Sequence, residues 1–234
     1  MKVNGIPTRT IWPIEHGQAV GIIDQTRLPF EFVKEECVDW RQLQNAIATM
    51  KVRGAPLIGI SGAWAMVLAM KEDPRDEAVH AVRAEMIATR PTAADLQWGV
   101  DQIVTAVMHV EPKERFRVAY KKAEEITQAN VLANRAIGTH GAKLIAEIYA
   151  KKRAPVNILT HCNAGWLATV DYGTALSPVY IAFEQGIPLH VWVDETRPRN
   201  QGLLTAWELE GAGVPYTVIA DNAGGHIMQH REVD

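Results

Sequence analysis

Three apolar runs in the second half of the chain constrain its fold more than any other feature. Residues 156–162, 189–195 and 216–222 carry the strand-like sequences VNILTHC, LHVWVDE and YTVIADN, and helical segments separate them. Strands that are apolar throughout and alternate with helices are typical of a parallel sheet covered on both faces. The sequence therefore predicts an α/β fold that contains a Rossmann-like parallel-sheet domain.

The sequence before these runs predicts mostly helices. Residues 9–33 suggest short strands, whereas VDWRQLQNAIATMKV spaces its apolar residues at three or four positions, with Asp39 placed to cap the helix. The apolar run at residues 55–70 predicts a buried helix. We therefore expect a mainly helical N-terminal domain over residues 1–126 and the Rossmann-like domain over residues 127–234.

Two helix boundaries in this first part are predicted from local signals. Thr92 is a plausible N-cap, because Asp95 follows three residues later, close to a capping box. Residues 112–153 predict either two long helices or one broken helix.

The parallel sheet is predicted to be incomplete in this chain. Only three strands are evident, which is few for this architecture, and the sequence ends with HREVD where a fourth strand is expected. We expect either that the chain is a fragment of a longer one or that the remainder exists as a separate polypeptide.

Composition excludes several classes of function. The chain has 24 Lys and Arg against 27 Asp and Glu, and this balance argues against nucleic acid as a partner. The N-terminus lacks a signal-peptide core, and residues 55–70 are too short to cross a bilayer comfortably. The only cysteines, Cys37 and Cys162, cannot form a disulfide framework. We expect a cytoplasmic protein with no membrane partner.

Polar clusters follow each of the three strand runs. His161-Cys162-Asn163, Asp194-Glu195-Thr196-Arg197 and Asp221-Asn222 occupy equivalent positions. Ligands of open α/β sheets bind at the carboxyl ends of the strands, so a shared crevice is predicted there. Cys162 is either a small buried apolar residue or a functional thiol, and the turn at Gly165 favours function modestly.

The histidines do not define a metal site. A couple between His161 and Cys162 requires that the strand has already ended, because adjacent strand residues point to opposite faces. A zinc site from His161, Cys162 and His226 has unspecific spacing. We therefore predict no metal.

Two arginines precede predicted helix starts. Arg53 comes before Gly54-Ala55-Pro56, and Arg90 precedes the helix that Thr92 is predicted to cap. An arginine with free amides at a helix N-terminus suits phosphate, although a surface arginine in an ordinary loop is the simpler alternative for each. Two such segments make a phosphorylated ligand more credible.

Five motifs together carry a family resemblance along almost the entire chain. VRGAPLIG, RPTAADLQW, THCNAGWLATVDYGTAL, VDETRPRNQGLLTAWEL and GVPYTVIADNAGGHIM resemble the methylthioribose-1-phosphate isomerase family in order and spacing. The resemblance implies isomerisation of an aldose 1-phosphate to a ketose 1-phosphate in methionine salvage, without metal or nucleotide. It also implies a homodimer formed through the α/β domain.

The resemblance assigns roles to individual residues. It implies that Arg53, Gly54 and Ala55 bind the substrate phosphate, that Arg90 and Gln201 complete the substrate contacts, and that Cys162 is catalytic. The family's catalytic aspartate and an Asn-Lys pair belong to motifs that would follow residue 234. We therefore expect the chain alone to bind substrate poorly and not to turn it over.

Related activities remain open. Ribose-1,5-bisphosphate and 5-deoxyribose-1-phosphate isomerases resemble the same family, although no added basic motif is evident for a second phosphate. The methylthio and deoxy substrates differ only in an apolar group, which pockets discriminate weakly. The non-enzymatic alternative is a regulatory subunit of the eukaryotic initiation-factor exchange complex. Cys162 argues against it, because a purely interacting subunit has no need of that thiol.

Overall fold

The computed structural model describes all 234 residues and has the predicted mixed α/β architecture. The first half contains β1 (Lys2–Val3), β2 (Ile6–Pro7), β3 (Ile11–Ile14), β4 (Ala19–Ile23), β5 (Lys34–Cys37), α1 (Trp40–Ala48), α2 (Ala55–Glu72), α3 (Asp76–Thr89) and α4 (Ala94–Val107). The second half contains α5 (Pro112–Lys152), β6 (Val156–Thr160), α6 (Ser177–Glu184), β7 (Leu189–Asp194), α7 (Gly202–Ala212), β8 (Tyr216–Ile219) and α8 (Ala223–Gln229).

Backbone contacts divide the chain into two compact units. The sheet unit comprises residues 1–8 and 131–234, and the helical unit comprises residues 9–130. The predicted boundary between domains 1–126 and 127–234 lies inside α5, and that division stays a prediction. The expectation of two helices or a broken helix in this region is wrong, because α5 is one helix of 41 residues.

The helical unit is built around α2. Residues Leu57–Met70 are all buried, as expected for a helix that is apolar on every side. The prediction of a buried helix over this segment is confirmed. Helices α2 and α4 approach closely at two glycines, since a Cβ on Gly99 would lie 1.9 Å from the Gly59 carbonyl oxygen.

No helix of the structure combines the length and the apolar character that crossing a membrane requires.

One of the two predicted helix caps is confirmed and the other is wrong. Asp39 caps α1, and its side chain accepts a hydrogen bond of 2.9 Å from the Gln42 N–H. Helix α4 instead begins at Ala94, without a side-chain cap from Thr92 or any other residue. The Ala93 N–H donates to the Arg90 carbonyl (2.9 Å), so a backbone turn occupies the segment where the cap was expected.

A small antiparallel sheet completes the helical unit. Its order is β3-β4-β5, with Ile11 opposite Ile22 and Val20 opposite Cys37. Every residue of β4 is buried, as befits the central strand. Cys37 is therefore the last residue of an edge strand, packed against the middle of the sheet.

The sheet unit contains the predicted parallel sheet. Its order is β6-β7-β8, and the register pairs Thr160 with Val193 and Asp194 with Ile219. The carboxyl ends of the three strands therefore lie at one edge. On the free side of β6, the Asp234 N–H donates to the Asn157 carbonyl (3.0 Å). The three strand predictions are confirmed, and this register places their polar ends together.

Candidate functional site

The carboxyl ends of the parallel strands bring the predicted polar clusters into contact. His161 Nδ1 lies 3.0 Å from Asp194 Oδ2. The backbone N–H groups of Thr196 and Arg197 each donate a 2.8 Å hydrogen bond to the Asp221 carboxylate. These bonds join the segments that follow β6, β7 and β8. The polar groups after the three strands therefore meet at one edge of the sheet, and the shared ligand crevice there stays a prediction.

Cys162 lies beyond the end of β6 in an unusual backbone conformation. Its φ is +65°, in the left-handed region that favours glycine. Its N–H donates to Thr196 Oγ1 (2.7 Å), and its carbonyl accepts from Thr205 Oγ1 (2.8 Å). The residue is half-buried. Hydrogen bonds on both sides fix the backbone that carries the thiol, while the residue stays partly accessible.

A buried carboxylate holds the turn that follows Cys162. Glu208 on α7 accepts hydrogen bonds from Asn163 Nδ2 (2.9 Å), Trp166 N–H (3.0 Å), Leu167 N–H (2.9 Å) and Tyr180 Oη (2.6 Å). Burial raises the pKa of Glu208, and these hydrogen bonds oppose the rise by stabilising the charged form. One side chain thus gathers four donors from the turn and from α6.

Gly165 is the position in this turn where a side chain is excluded. A Cβ there would lie 1.7 Å from Glu208 Oε2. The carboxylate has little freedom to withdraw, since four donors hold it. The glycine that the sequence placed in the turn is therefore needed for the close approach of Glu208.

Sequence reasoning missed Glu208, although a signal was present. Leu204, Thr205 and Leu209 are buried on α7 and share helical spacing with Glu208. A glutamate four residues after a buried leucine and three after a buried threonine lies on the same, inward face of the helix. A charged residue on such a face must find donors, and the turn after Cys162 supplies them.

Three buried acceptor oxygens at the end of β7 have no hydrogen-bond partner. They are Asp194 Oδ1, in the last residue of β7, and Asn200 Oδ1 and Gln201 Oε1, in the segment between β7 and α7. Buried polar atoms in folded proteins nearly always have partners, so unpaired ones call for an explanation. Gln201, a predicted substrate-binding residue, immediately precedes α7. Oxygens of this kind suit a ligand that donates several hydrogen bonds.

The predicted phosphate-binding residues lie together in the helical unit. Arg53 is only 6% exposed, so the alternative of a surface arginine is wrong. Gly54 occupies the N-cap of α2 with φ +87°, and Ala55 is the exposed first residue of the helix. The left-handed backbone explains the glycine, and the helix start presents N–H groups with a favourable dipole for an anion.

Arg90 occupies a different setting from Arg53. It is half-buried and ends α3, and its carbonyl accepts from the Ala93 N–H. The expected repeat of the first arrangement, an arginine directly before a capped helix, is therefore wrong. The predicted site residues belong to both units: Cys162 and Gln201 to the sheet unit, the others to the helical unit.

The structure groups His161 with two aspartates rather than with Cys162 and His226. One potential ligand atom from each of His161, Asp194 and Asp221 lies within 4.8 Å of the others. The ring of His226 instead packs against that of His230, with centroids 4.1 Å apart. The zinc set considered from the sequence is therefore not formed.

A cavity of about 440 Å³ also opens in the sheet unit. Its lining includes Met1, Tyr172, Phe183 and Val214, with Glu208 on one side. None of the predicted site residues lines it.

Comparison with known proteins gives consistent matches. A model of the Initiation factor 2 subunit family matches residues 51–234. The chain is 54% identical over 235 residues to the methylthioribose-1-phosphate isomerase of Methylorubrum populi, in an alignment that covers 100% of this chain and 64% of that protein. The chain thus spans about 64% of the length of this curated relative.

Two solved structures are similar over 97% of the chain. The 5-methylthioribose 1-phosphate isomerase from Pyrococcus horikoshii OT3 superposes with a TM-score of 0.85 at 34% identity, and 64% of that chain is covered. The translation initiation factor eIF-2B, subunit delta, from A. fulgidus gives a TM-score of 0.82 at 36% identity, with 66% of that chain covered. Structural similarity alone therefore does not separate the two kinds of relative.

Proposed function

Because this chain belongs to the initiation factor 2 subunit family, we propose that it forms the greater part of an aldose–ketose isomerase. The reaction is the conversion of 5-methylthioribose 1-phosphate to 5-methylthioribulose 1-phosphate in methionine salvage. The 54% identity to a relative named for this activity supports the proposal.

The observation that carries the proposal is the set of unpaired acceptors in residues 194–201, the stretch whose Thr196 hydrogen-bonds the backbone of Cys162. Asp194, Asn200 and Gln201 each present a buried oxygen without a donor. A sugar offers several hydroxyl donors, and pairing them with these oxygens would remove the cost of leaving them unsatisfied. Thr196, from the same segment, hydrogen-bonds the backbone of Cys162. A sugar held there would therefore lie close to the thiol-bearing turn.

The chemistry gives Cys162 a role. The phosphate on C1 removes the free anomeric hydroxyl, so an acid must assist cleavage of the C1–O4 bond. Hydrogen must then pass from C2 to C1, through an enediolate-type intermediate or as a hydride. A weakly acidic thiol on a fixed backbone is suited to stabilise or exchange hydrogen at these carbons.

The phosphate supplies orientation from a part of the substrate that does not react. Arg53, Gly54 and Ala55 provide a buried guanidinium and the N–H groups at the start of α2. Arg90 adds a second cation. Binding energy from the phosphate then positions the sugar for reaction.

The proposal includes the remaining expectations drawn from the family resemblance. The protein acts in the cytoplasm as a homodimer, on a small sugar 1-phosphate, without nucleic acid, metal or nucleotide. The preference between a methylthio and a deoxy group at C5 is weak, since the two differ only in apolar substituents.

A non-catalytic regulatory subunit is the second candidate. The 36% identity to an archaeal protein named as an eIF-2B delta subunit favours it. Such a subunit would bind a phosphorylated sugar or nucleotide without converting it. The two candidates differ in what they require of Cys162.

An isomerase assay separates the two candidates. Conversion of 5-methylthioribose 1-phosphate is followed by NMR with the 234-residue chain alone, and with the chain mixed with the part of the Methylorubrum populi relative that it does not span. We expect turnover in the mixture, reduced about a thousandfold in Cys162→Ser and unchanged in Cys37→Ser. Absence of turnover from both samples, with circular dichroism showing folded protein, would favour the regulatory subunit.

A further inference from the structure

His161 has no role in the proposed function, which uses only the Oδ1 atom of its partner Asp194. His161 Nδ1 lies 3.0 Å from Asp194 Oδ2, and the two side chains differ sharply in exposure. The histidine side chain is 60% exposed, whereas the aspartate side chain is 9% exposed. One partner is thus open to a ligand, while the other is held inside the protein.

The surroundings fix Asp194 firmly. It is the last residue of β7, and its backbone carbonyl accepts from Thr196 Oγ1 (3.1 Å). A Cβ on Gly224 would meet the two carboxylate oxygens at 3.2 and 3.4 Å, so α8 closes the space beside the carboxylate. The carboxylate can therefore hold the imidazole in one orientation.

The other ring nitrogen of His161 is available for chemistry. The ring of His161 makes one hydrogen bond within the protein, through Nδ1, and Nε2 makes none. A histidine held by a carboxylate at one nitrogen presents a defined donor or acceptor at the other. The charged groups near His161 are Asp194 on β7 and Asp221 after β8, and Arg197 lies beside Asp221.

We propose that His161 is the acid that opens the sugar ring, with Asp194 as its positioning residue. This inference rests on the proposed isomerase function. His161 begins as an imidazolium, with Nδ1–H bonded to Asp194. Its Nε2 proton passes to ring oxygen O4 as the C1–O4 bond breaks, which leaves C4 with a hydroxyl and the imidazole neutral.

The same nitrogen closes the proton balance at the end of the reaction. Hydrogen moves from C2 to C1, and the C2 hydroxyl becomes a carbonyl as its proton returns to Nε2. One proton is given to O4 and one is recovered from O2, so no external acid is consumed. Cys162, the next residue in the sequence, then assists the transfer of hydrogen from C2 to C1.

The test uses whichever sample turned substrate over in the isomerase assay. We expect His161→Gln to lower kcat about a hundredfold with less than about a threefold change in KM, and Asp194→Asn to lower kcat about tenfold. In His161→Ala, added imidazole should raise kcat at least about tenfold. His80→Gln, an exposed histidine on α3, serves as the matched control and should match the wild type.

The outcomes separate this inference from the proposed function. Full kcat in His161→Gln, or a loss in His161→Ala that imidazole does not relieve, would overturn the role of His161 while leaving the isomerase intact. Inactive wild-type protein would overturn both.

A measurement that does not depend on turnover examines the pair directly. In the NMR spectrum of the histidine rings, the Nδ1 proton of His161 should be protected from solvent exchange in the wild type and lose that protection in Asp194→Ala. Selective broadening of His161 by micromolar Mn²⁺ would instead identify a cation site made with Asp194 and Asp221, and would overturn the assignment.

Discussion

The two cysteines of the chain stand in opposite surroundings, although each is near the end of a strand. Cys37 is the last residue of β5, is buried, and has a pKa raised to about 11, chiefly by burial. Cys162 lies two residues beyond β6, is half-buried, and adopts a left-handed backbone. The Cys37 thiol therefore belongs to a buried residue, whereas Cys162 is partly accessible to solvent.

The difference shows that the segment after a strand decides the role of the residue at the strand's end. After Cys37 the chain turns directly into α1, capped by Asp39, and Cys37 is buried. After Cys162 a turn held by Glu208 moves the chain away from the sheet edge. The polar network, rather than the cysteine itself, makes the second site suitable for chemistry.

The largest expected consequence is a difference in thiol reactivity. With iodoacetamide at about pH 7.5, we expect Cys162 to be alkylated at least about a hundredfold faster than Cys37, because burial and a raised pKa suppress the Cys37 thiolate. Peptide mass spectrometry of timed samples measures both rates, and Cys162→Ser provides the Cys37 rate alone. Equal rates in the folded protein would remove the distinction between the two sites.

The next effect concerns the hydrogen bonds by which Glu208 holds the turn after Cys162. Glu208→Gln should destabilise the protein by about 2 kcal/mol. The NH₂ of the glutamine amide cannot accept a hydrogen bond, so at least one of the four donors that now bond Glu208 would be left without an acceptor. Urea unfolding measures the change. Glu210→Gln, an exposed position on the same helix, is the control and should stay within about 0.5 kcal/mol of the wild type. A similarly small change in Glu208→Gln would show that the turn does not depend on this carboxylate.

The smallest effect is a pH-linked loss of stability at Cys37. Its folded pKa of about 11 lies above the ordinary value of 9.0, so the folded state holds the thiol proton more tightly than the unfolded chain. The contribution is full below about pH 9 and is lost as the pH rises towards about 11. Between about pH 7.5 and about pH 10, wild type should lose about 1 kcal/mol more than Cys37→Ala in urea unfolding. Parallel losses in both proteins would contradict the buried, protonated state.

Much of the fold could be predicted from the sequence because its signals are physical and local. The apolar runs at β6, β7 and β8 predict a parallel sheet, and this sheet places His161, Asp194 and Asp221 at one edge. Strand β8 is less covered than expected, because none of its residues is buried. Asp39 is a reliable cap because its carboxylate reaches an N–H three residues later.

The two wrong predictions about helices have their causes in contacts that the local sequence pattern does not show. Helix α5, which was expected to be broken or to form two helices, contains Gly138 and Gly141. A Cβ on these residues would lie 2.2 Å from Ser177 Oγ and 2.4 Å from Pro178 Cγ, so the glycines allow close packing against α6 within an unbroken helix. Thr92 failed as a cap because a backbone turn with Arg90 took its place.

The site itself was only partly predictable. Cys162, Gln201 and Arg53 were singled out by motif, but sequence did not reveal that Glu208 organises the turn. The segment LLTAWELEGA, which contains Glu208 and Glu210, does not reveal the four donors to Glu208, because they come from residues 28 to 45 positions earlier. Long-range hydrogen-bond partners of this kind become visible only in three dimensions.

Protection of Cys162 by ligand is the sharpest test of whether the turn after β6 is the substrate site. Alkylation of both cysteines is timed with increasing 5-methylthioribose 1-phosphate, in the chain alone and in the mixture used for the isomerase assay, with ribose as the control that lacks a phosphate. We expect the sugar phosphate to slow alkylation of Cys162 in a saturable manner and to leave Cys37 unchanged. An unaltered rate at Cys162 in both samples at millimolar sugar phosphate would contradict the placement of the substrate at this turn.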